Sequence, residues 1–306
     1  MRNDNQNNGN MKRFLITLLV LAMGLPMIYA AQKRALLVGI SKYRTETRRD
    51  WQNIHGSEDV ELLVPALKAQ GFLVSTLTNE QATRAGIISG LKKLVKKTKK
   101  GDIVYIHFST HGQPVEDGMN GFAADETDGW DEAIVPIDAG SRYSERYDGS
   151  KHITDDEINT YVSQIRTKIG PQGALYVVMD ACHSGNASRG DFETTRGTNE
   201  GLSRSGKKYS FINADNKQHY RLASGSKLAP TVFLEACTSK ERNYEITIGK
   251  KEYGSLSYMV YLTLKSSKIG TNPASFEKAV KSTISNSPEW QKQLSGKQHV
   301  VTETSY

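Results

Sequence analysis

Ala174-Leu175-Tyr176-Val177-Val178-Met179-Asp180-Ala181-Cys182-His183-Ser184-Gly185 joins a strand-like run to a cysteine and a turn-forming Ser-Gly pair. A continuous apolar run of this length suits a strand covered on both faces. Upstream, Asp102-Ile103-Val104-Tyr105-Ile106-His107-Phe108-Ser109 reads the same way and ends in Thr110-His111-Gly112. A nucleophile and a base, each carried just past a strand end, are what covalent catalysis requires. A cysteine hydrolase is therefore the leading reading.

Outward from these two strands the signals alternate. Lys33–Ile40 is a strand-like run, and Ser57–Gln70 a helix with Val60, Leu63, Val64 and Leu67 as its apolar stripe. Pro65 predicts a kink in it. Phe72–Leu77 is a strand and Thr83–Thr98 a helix whose lysine-rich end suits its dipole. Thr154–Lys168 is a helix opened by a capping box, Thr154-Asp155-Asp156-Glu157. Thr231–Ala236 predicts a further strand, 255–265 and 272–285 two late helices, and 299–304 a last strand. Residues 112–150 read as irregular excursions with little core, and the basic, polar stretch 187–222 as a long loop. The β-α-β-α-β order gives an α/β fold with a mainly parallel central sheet and helices on both faces. In such sheets ligands sit outside the carboxyl ends of the strands, where His111 and Cys182 fall.

The 306 residues suffice for a large core, and 37% hydrophobic residues suit a globular chain. The N-terminus differs. Met11-Lys12-Arg13, an apolar run from Phe14 to Ile28 and the exit Tyr29-Ala30-Ala31 form the pattern of a secretory signal peptide. The expected organisation is a leader over residues 1–30, with Met11 as its natural start, and a domain over 31–306. The protein is then exported, to the periplasm or outside the cell, and keeps no membrane span once the leader is gone: the run is short for one and holds Pro26. The net charge of +7 falls to about +5 without Arg2, Asp4, Lys12 and Arg13, and no zinc-knuckle, helix-turn-helix or aromatic-basic pattern supports nucleic acid as a partner. Of the two cysteines, Cys182 must be free to act; Cys237, at a strand end, reads as a buried inert thiol.

A thiolate nucleophile needs a histidine partner and backbone N–H donors for the oxyanion; Cys182 and Gly112 are the natural donors. Residues two apart in a strand face the same way, so Asp180 shares a face with Cys182 and Ser109 with His111. A carboxylate beside the nucleophile repels an acidic side chain and attracts Arg or Lys. The bland alternative for Asp180 is an exposed strand-end carboxylate. His107, mid-strand among apolar residues, reads as a satisfied core residue, and His55, His152, His183, His219 and His299 have no supporting pattern.

The pair Ser109-Thr110-His111-Gly112 and Asp180-Ala181-Cys182-His183-Ser184-Gly185 resembles the caspase-like cysteine peptidases, and among them the metacaspases. The resemblance runs from Ala35-Leu36-Leu37-Val38-Gly39-Ile40 to Gly254-Ser255-Leu256-Ser257. It implies a caspase-like (caspase/haemoglobinase) three-layer sandwich, a His111–Cys182 dyad, and peptide or protein substrates cut after Arg or Lys. Asp180, Ser109 and Asp59 would line the specificity pocket, although Gly56-Ser57-Glu58 is one residue shorter than the family's usual segment. The chemistry itself needs no cofactor. Many metacaspases need calcium; the matching carboxylates are Asp131, Asp155 and Asp156, though the last two also make sense as first-turn helix acids. A further family aspartate after the cysteine motif has no clear match, since Arg189 stands there and Asp191 comes later. An enzyme cutting after Arg or Lys makes Arg189, Arg196, Arg204, Lys207 and Lys208 self-cleavage candidates; a solvated basic loop is the plainer account. Gly201–Lys208 approaches a phosphate loop but lacks its Ser or Thr and a preceding strand. Two other readings stand beside this one: a caspase-like peptidase specific for Asp, against which Asp180 argues, and a catalytically silent binding protein of the same fold.

Overall fold

Seven buried residues in succession, Ile103–Ser109, make β3, and Ala174–Asp180 makes β7, equally buried. They pair in parallel with Ser109 opposite Asp180. The computed structural model describes residues 30–43, 51–119, 121, 126–182, 194–198, 200–210, 220 and 222–306. The leader expected over 1–30 therefore lies outside the described residues, Ala30 apart, as do His183, Arg189, Asp191 and His219. Residues 31–306 form one unit.

The central sheet has six strands in the order β11-β8-β7-β3-β1-β2. Here β1 is Lys33–Gly39, β2 Phe72–Thr78, β8 Thr231–Glu235 and β11 Val301–Thr304; β11 alone is antiparallel. Period two divides its side chains between two cores. Leu36, Val38, Val104, Ile106, Leu175 and Val177 pack against helices α2 (Arg84–Lys97) and α3 (Asp155–Ile169). Leu37, Tyr105, Tyr176, Val178, Val232 and Leu234 pack against α1 (Gly56–Ala69), α4 (Ser255–Ser266) and α5 (Pro273–Asn286). The result is the expected three-layer sandwich. A last short helix, α6, covers Pro288–Gln293.

The helix signals hold to within a residue or two. Thr154 caps α3 by accepting from Glu157 N–H, but Glu157 turns to Arg84 instead of closing the capping box. The stripe of α1 is narrower than expected: Val60, Leu63 and Leu67 are buried and Val64 only partly.

Two expectations fail. The excursion 112–150 carries a three-stranded sheet, β4 (Gly112–Glu116), β5 (Trp130–Ile134) and β6 (Ile153–Thr154), with a small core of Val115, Ala133 and Leu202. The basic loop is not uniformly solvated either: Leu202 bridges to Val115, and Arg196 is fully buried. After β8 a hairpin, β9 (Glu245–Ile248) with β10 (Lys251–Gly254), leads into α4. No described helix is long and apolar enough to cross a membrane.

Candidate active site

The core face occupied by Tyr105 and Tyr176 also receives, four residues on, Ser109 and Asp180. Both are fully buried. The first turn of α1 lies over the same strand ends and brings in Asp59, also fully buried. Asp180 accepts from Ser257 N–H at 2.7 Å, Ser257 Oγ at 2.6 Å and Asn243 Nδ2 at 2.7 Å. Asp59 accepts from Ser109 Oγ at 2.6 Å and Gly254 N–H at 3.0 Å. A β-carbon at Gly254 would collide with Asp180 Oδ2 and Arg196 Nη1, so only glycine fits where the chain passes this slot. The structure thus brings Asp180, Ser109 and Asp59 together at one place, and the short segment before Asp59 does not displace it.

The slot is filled by Arg196. Its Nη2 lies 2.8 Å from Asp59 Oδ2 and 2.7 Å from Glu245 Oε1, its Nε 3.0 Å from Glu245 Oε1, and its Nη1 2.6 Å from Ser109 Oγ and 3.6 Å from Asp180 Oδ1. Burial works against charge on this guanidinium, but three carboxylates outweigh it and drive its pKa up. Asp59 is pushed up to about 7, chiefly by burial; Arg196 opposes the rise, while Asp180 and Glu245 add to it. Burial would raise Glu245 too, yet Arg196 and His55 hold it below the ordinary value. His55 Nδ1 sits 2.5 Å from Glu245 and its own pKa is raised by that bond. So His55 is a structural partner of the pocket rather than a patternless loop residue.

His111 stands two residues past the end of β3, stacked on Trp51 at 5.1 Å and tilted against Tyr43 at 4.8 Å between centroids. Its Nε2 lies 2.9 Å from Gln52 O; a carbonyl only accepts, so Nε2 carries the proton. Nδ1 is then the lone-pair nitrogen, buried and without a hydrogen-bond partner. Burial pushes the His111 pKa down to about 4, Gln52 opposing and the Arg196 charge assisting, so the ring is neutral at pH 7. His107 is the satisfied core residue expected, bonded to Tyr105 and Ser257.

Cys182 is buried at the end of β7. Its N–H donates to Arg196 O at 2.8 Å, the part an oxyanion donor plays. Gly112 opens β4 opposite Ile134, and on that carbonyl the described donor is Cys182. The Cys182 thiol reaches Glu241 O at 3.3 Å, and Cys237 donates to it with 3.1 Å between sulfurs. Cys237, expected to be an inert buried thiol, is therefore a direct neighbour of Cys182. Its pKa is raised well above the ordinary thiol value by the hydrogen bond to Cys182 and by burial, so it stays protonated. No periodicity announces this contact: it needs β8 to lie beside β7, which only the strand order supplies.

The carboxylates expected at a cation site are partly gathered. Asp131 is buried on β5, and its pKa is pushed up to about 8 by burial and then by Asp117, Asp156, Glu132 and Glu126. Asp155 is buried at the first position of α3, next to Asp156. Asp117 Oδ1 is buried with no hydrogen-bond partner. A crowd of hard oxygen donors of this kind suits Ca²⁺. Among the described residues the one group whose ligand atoms converge within 4.8 Å is a different set, His55, Glu245 and Glu252.

An α/β sandwich that presents a cysteine and a histidine at adjacent strand ends, beside a buried acidic slot, has the build of a caspase-like cysteine hydrolase. Residues 33–189 match the family model described as metacaspase, peptidase C14 domain, and the chain belongs to that family. It is 31% identical to Metacaspase-1 of Candida albicans over 169 residues, and 33% identical to Metacaspase III c of Phaeodactylum tricornutum over 169 residues. These alignments cover 51% and 52% of this chain, and 34% and 45% of those proteins, so it spans less than half the length of either. The solved structure of protein GSU0716 from Geobacter sulfurreducens shares the fold with a TM-score of 0.57 at 20% identity, covering 90% of this chain and 93% of that one.

Proposed function

We propose that this chain is an exported cysteine endopeptidase that hydrolyses peptide bonds after Arg or Lys, with Cys182 as nucleophile and His111 as base. The observation that carries the specificity is the slot beside Cys182, where Asp59, Asp180 and Glu245 surround a guanidinium. In a low-dielectric site three carboxylates favour a cationic side chain over an acidic one, which argues against the reading as an Asp-specific peptidase.

The thiol proton passes to His111 Nδ1, because Nε2–H is committed to Gln52 O. The thiolate attacks the carbonyl carbon, and Cys182 N–H holds the oxygen as it gains charge. The amine leaves with the proton from His111, and water then hydrolyses the thioester. For this the thiol turns from Glu241 and Cys237 toward the bound carbonyl.

We further propose calcium as an activator. Asp131 and Asp156, with Asp155 and Asp117 beside them, would hold it, and when bound it would supply a fixed positive charge that neutralises this acidic crowd. Export through the leader at 1–30 belongs to the same proposal and is tested by the N-terminus and location of the mature protein.

The deciding assay offers Arg-, Lys- and Asp-ended fluorogenic peptides to the purified protein and to Cys182→Ala, with calcium and with a chelator. Cys182-dependent release from Arg and Lys peptides is expected. Release from Asp peptides alone would sink the pocket argument. Release from none would leave the silent binding protein. Equal rates in calcium and chelator would remove calcium.

A further inference from the structure

The two edges of the central sheet are built differently. β11 closes one with four residues, carries Glu303 among them, and bonds Thr302 to Glu277 and Lys281. Short length and charge are how sheets blunt an edge. β2 closes the other with seven residues, Phe72-Leu73-Val74-Ser75-Thr76-Leu77-Thr78, which include no charge, proline or glycine. Among the described residues its one strand neighbour is β1. Leu73, at 58% exposure, is the most exposed of the large apolar side chains described.

The covering helices stop short of this edge on both faces. A groove of about 280 Å³ opens between β2 and α2, where Gly86 and Gly90 carry no side chain; Leu73, Ser75 and Leu77 line it. On the other face a groove of about 480 Å³ opens between β2 and α1, lined by Val74, Thr76 and Thr78. One more strand beside β2 would lay its alternate side chains into both. The residues themselves say which strand fits. Directly opposite residues of an antiparallel pair point to the same face. A second β2, related by a two-fold axis through Ser75, sets Ser75 against its own copy, Val74 against Thr76 of the second copy and the exposed Leu73 against Leu77 of the second copy. This register pairs the strand over its whole length. The charges agree with it. Lys68 is in the last turn of α1, just before Phe72, and Lys97 ends α2 in the groove it shares with Arg34, whose register partner is Leu73. Glu80 is exposed just past Thr78. Antiparallel pairing brings the lysine end of each copy to the Glu80 end of the other, whereas parallel pairing would bring like charges together.

We propose that β2 is the seam of a homodimer, in which the six-stranded sheets of two copies join edge to edge, antiparallel, into one continuous sheet. The contact is isologous, one patch used twice about a two-fold axis. His111 and Cys182 lie past the carboxyl ends of β3 and β7, so the two sites would open at opposite ends of the joined sheet, each complete within its own copy.

Sedimentation of the full chain over a hundredfold range of concentration tests this. The wild type is expected at twice the chain mass at the upper end, falling toward one chain mass on dilution. Ser75→Lys sets two ammonium groups against each other on the axis and should weaken the pairing roughly tenfold or more, with an unchanged far-UV circular dichroism spectrum. Ser75→Cys, treated with a mild oxidant, should give a disulfide-joined dimer through its two introduced thiols. Leu73→Cys, whose thiols would lie apart on either side of the axis, should not. One chain mass at every concentration overturns the proposal and leaves the edge to another partner. A dimer untouched by Ser75→Lys overturns it too, as does cross-linking through Leu73→Cys in place of Ser75→Cys.

Discussion

Glu245 meets the Arg196 guanidinium at two nitrogens, Nε at 3.0 Å and Nη2 at 2.7 Å. A lysine has one nitrogen and no Nε, so it cannot make this pair of bonds. A hydrogen bond between charged groups contributes about 1.5–3 kcal/mol. Glu245→Gln should therefore lower the ratio of kcat/KM for Arg over Lys peptides roughly tenfold or more. Asp59 sets a pH dependence. Below about 7 it holds a proton, and the slot presents one negative charge fewer. Expelling Arg196 removes an opposing charge and raises that value further. So kcat/KM for Arg peptides should climb as pH rises through 7 and above, and Asp59→Asn should lose that part of the climb. The two sulfurs at 3.1 Å carry a third expectation. Hydrogen peroxide oxidises both thiols to one disulfide and is itself reduced to water, so it should abolish activity, dithiothreitol should restore it, and Cys237→Ala should lose the dithiol-to-disulfide route. At this scale Asp180 and Ser109 were legible because period two follows from the pleat. Glu245 was not: it opens a short hairpin strand, and nothing local says which distant group it will face.

At the scale of elements, the slot is made where α1, β3, β7 and the start of α4 meet, and Gly254 is the hinge of that meeting. Gly254→Ala should crowd the slot. Overpacking of this kind costs about 1–3 kcal/mol, to be read as a lower thermal midpoint together with a raised KM for Arg peptides and a smaller change in kcat. The long elements were readable in the sequence because β1, β3 and β7 are continuous apolar runs and α2 and α3 bury one stripe each. The small sheet β4-β5-β6 was not: its strands are five, five and two residues long, and Gly112-Gln113-Pro114-Val115-Glu116 carries a glycine and a proline that speak against a strand. That sheet forms because Val135 N–H reaches His111 O and Leu202 covers Val115, contacts made across long stretches of chain.

Across the whole molecule, buried titratable groups shape stability. His107 and His111 titrate near 4 and His152 near 3 when folded, against about 6.5 unfolded. Between those values the unfolded chain binds protons there that the folded chain refuses. Asp59 and Asp131, near 7 and 8, do the reverse, keeping protons that an unfolded carboxylate has lost above about 4. Three histidines outweigh two carboxylates below about pH 6, so stability falls as the pH drops toward 4. Above about 6.5 the carboxylates decide, and stability falls as the pH rises toward 8. A thermal-melt series should peak at roughly pH 6; a midpoint rising steadily from pH 6 to 8 would refute this balance.

The layered α/β plan was legible in the alternation of runs and stripes. The order of strands was not, because parallel neighbours leave no mark on each other's sequence. That order has a last consequence. Arg196 falls between β7 and β8, which lie side by side in the sheet. A nick introduced into that connection would sever it while leaving every rung of that ladder in place. The two pieces would then be subunits of an obligate heterodimer, sharing one sheet and one core. They should travel as a single particle in size exclusion and part only in denaturant, and residues 1–196 made alone should self-associate along the bared edge of β7.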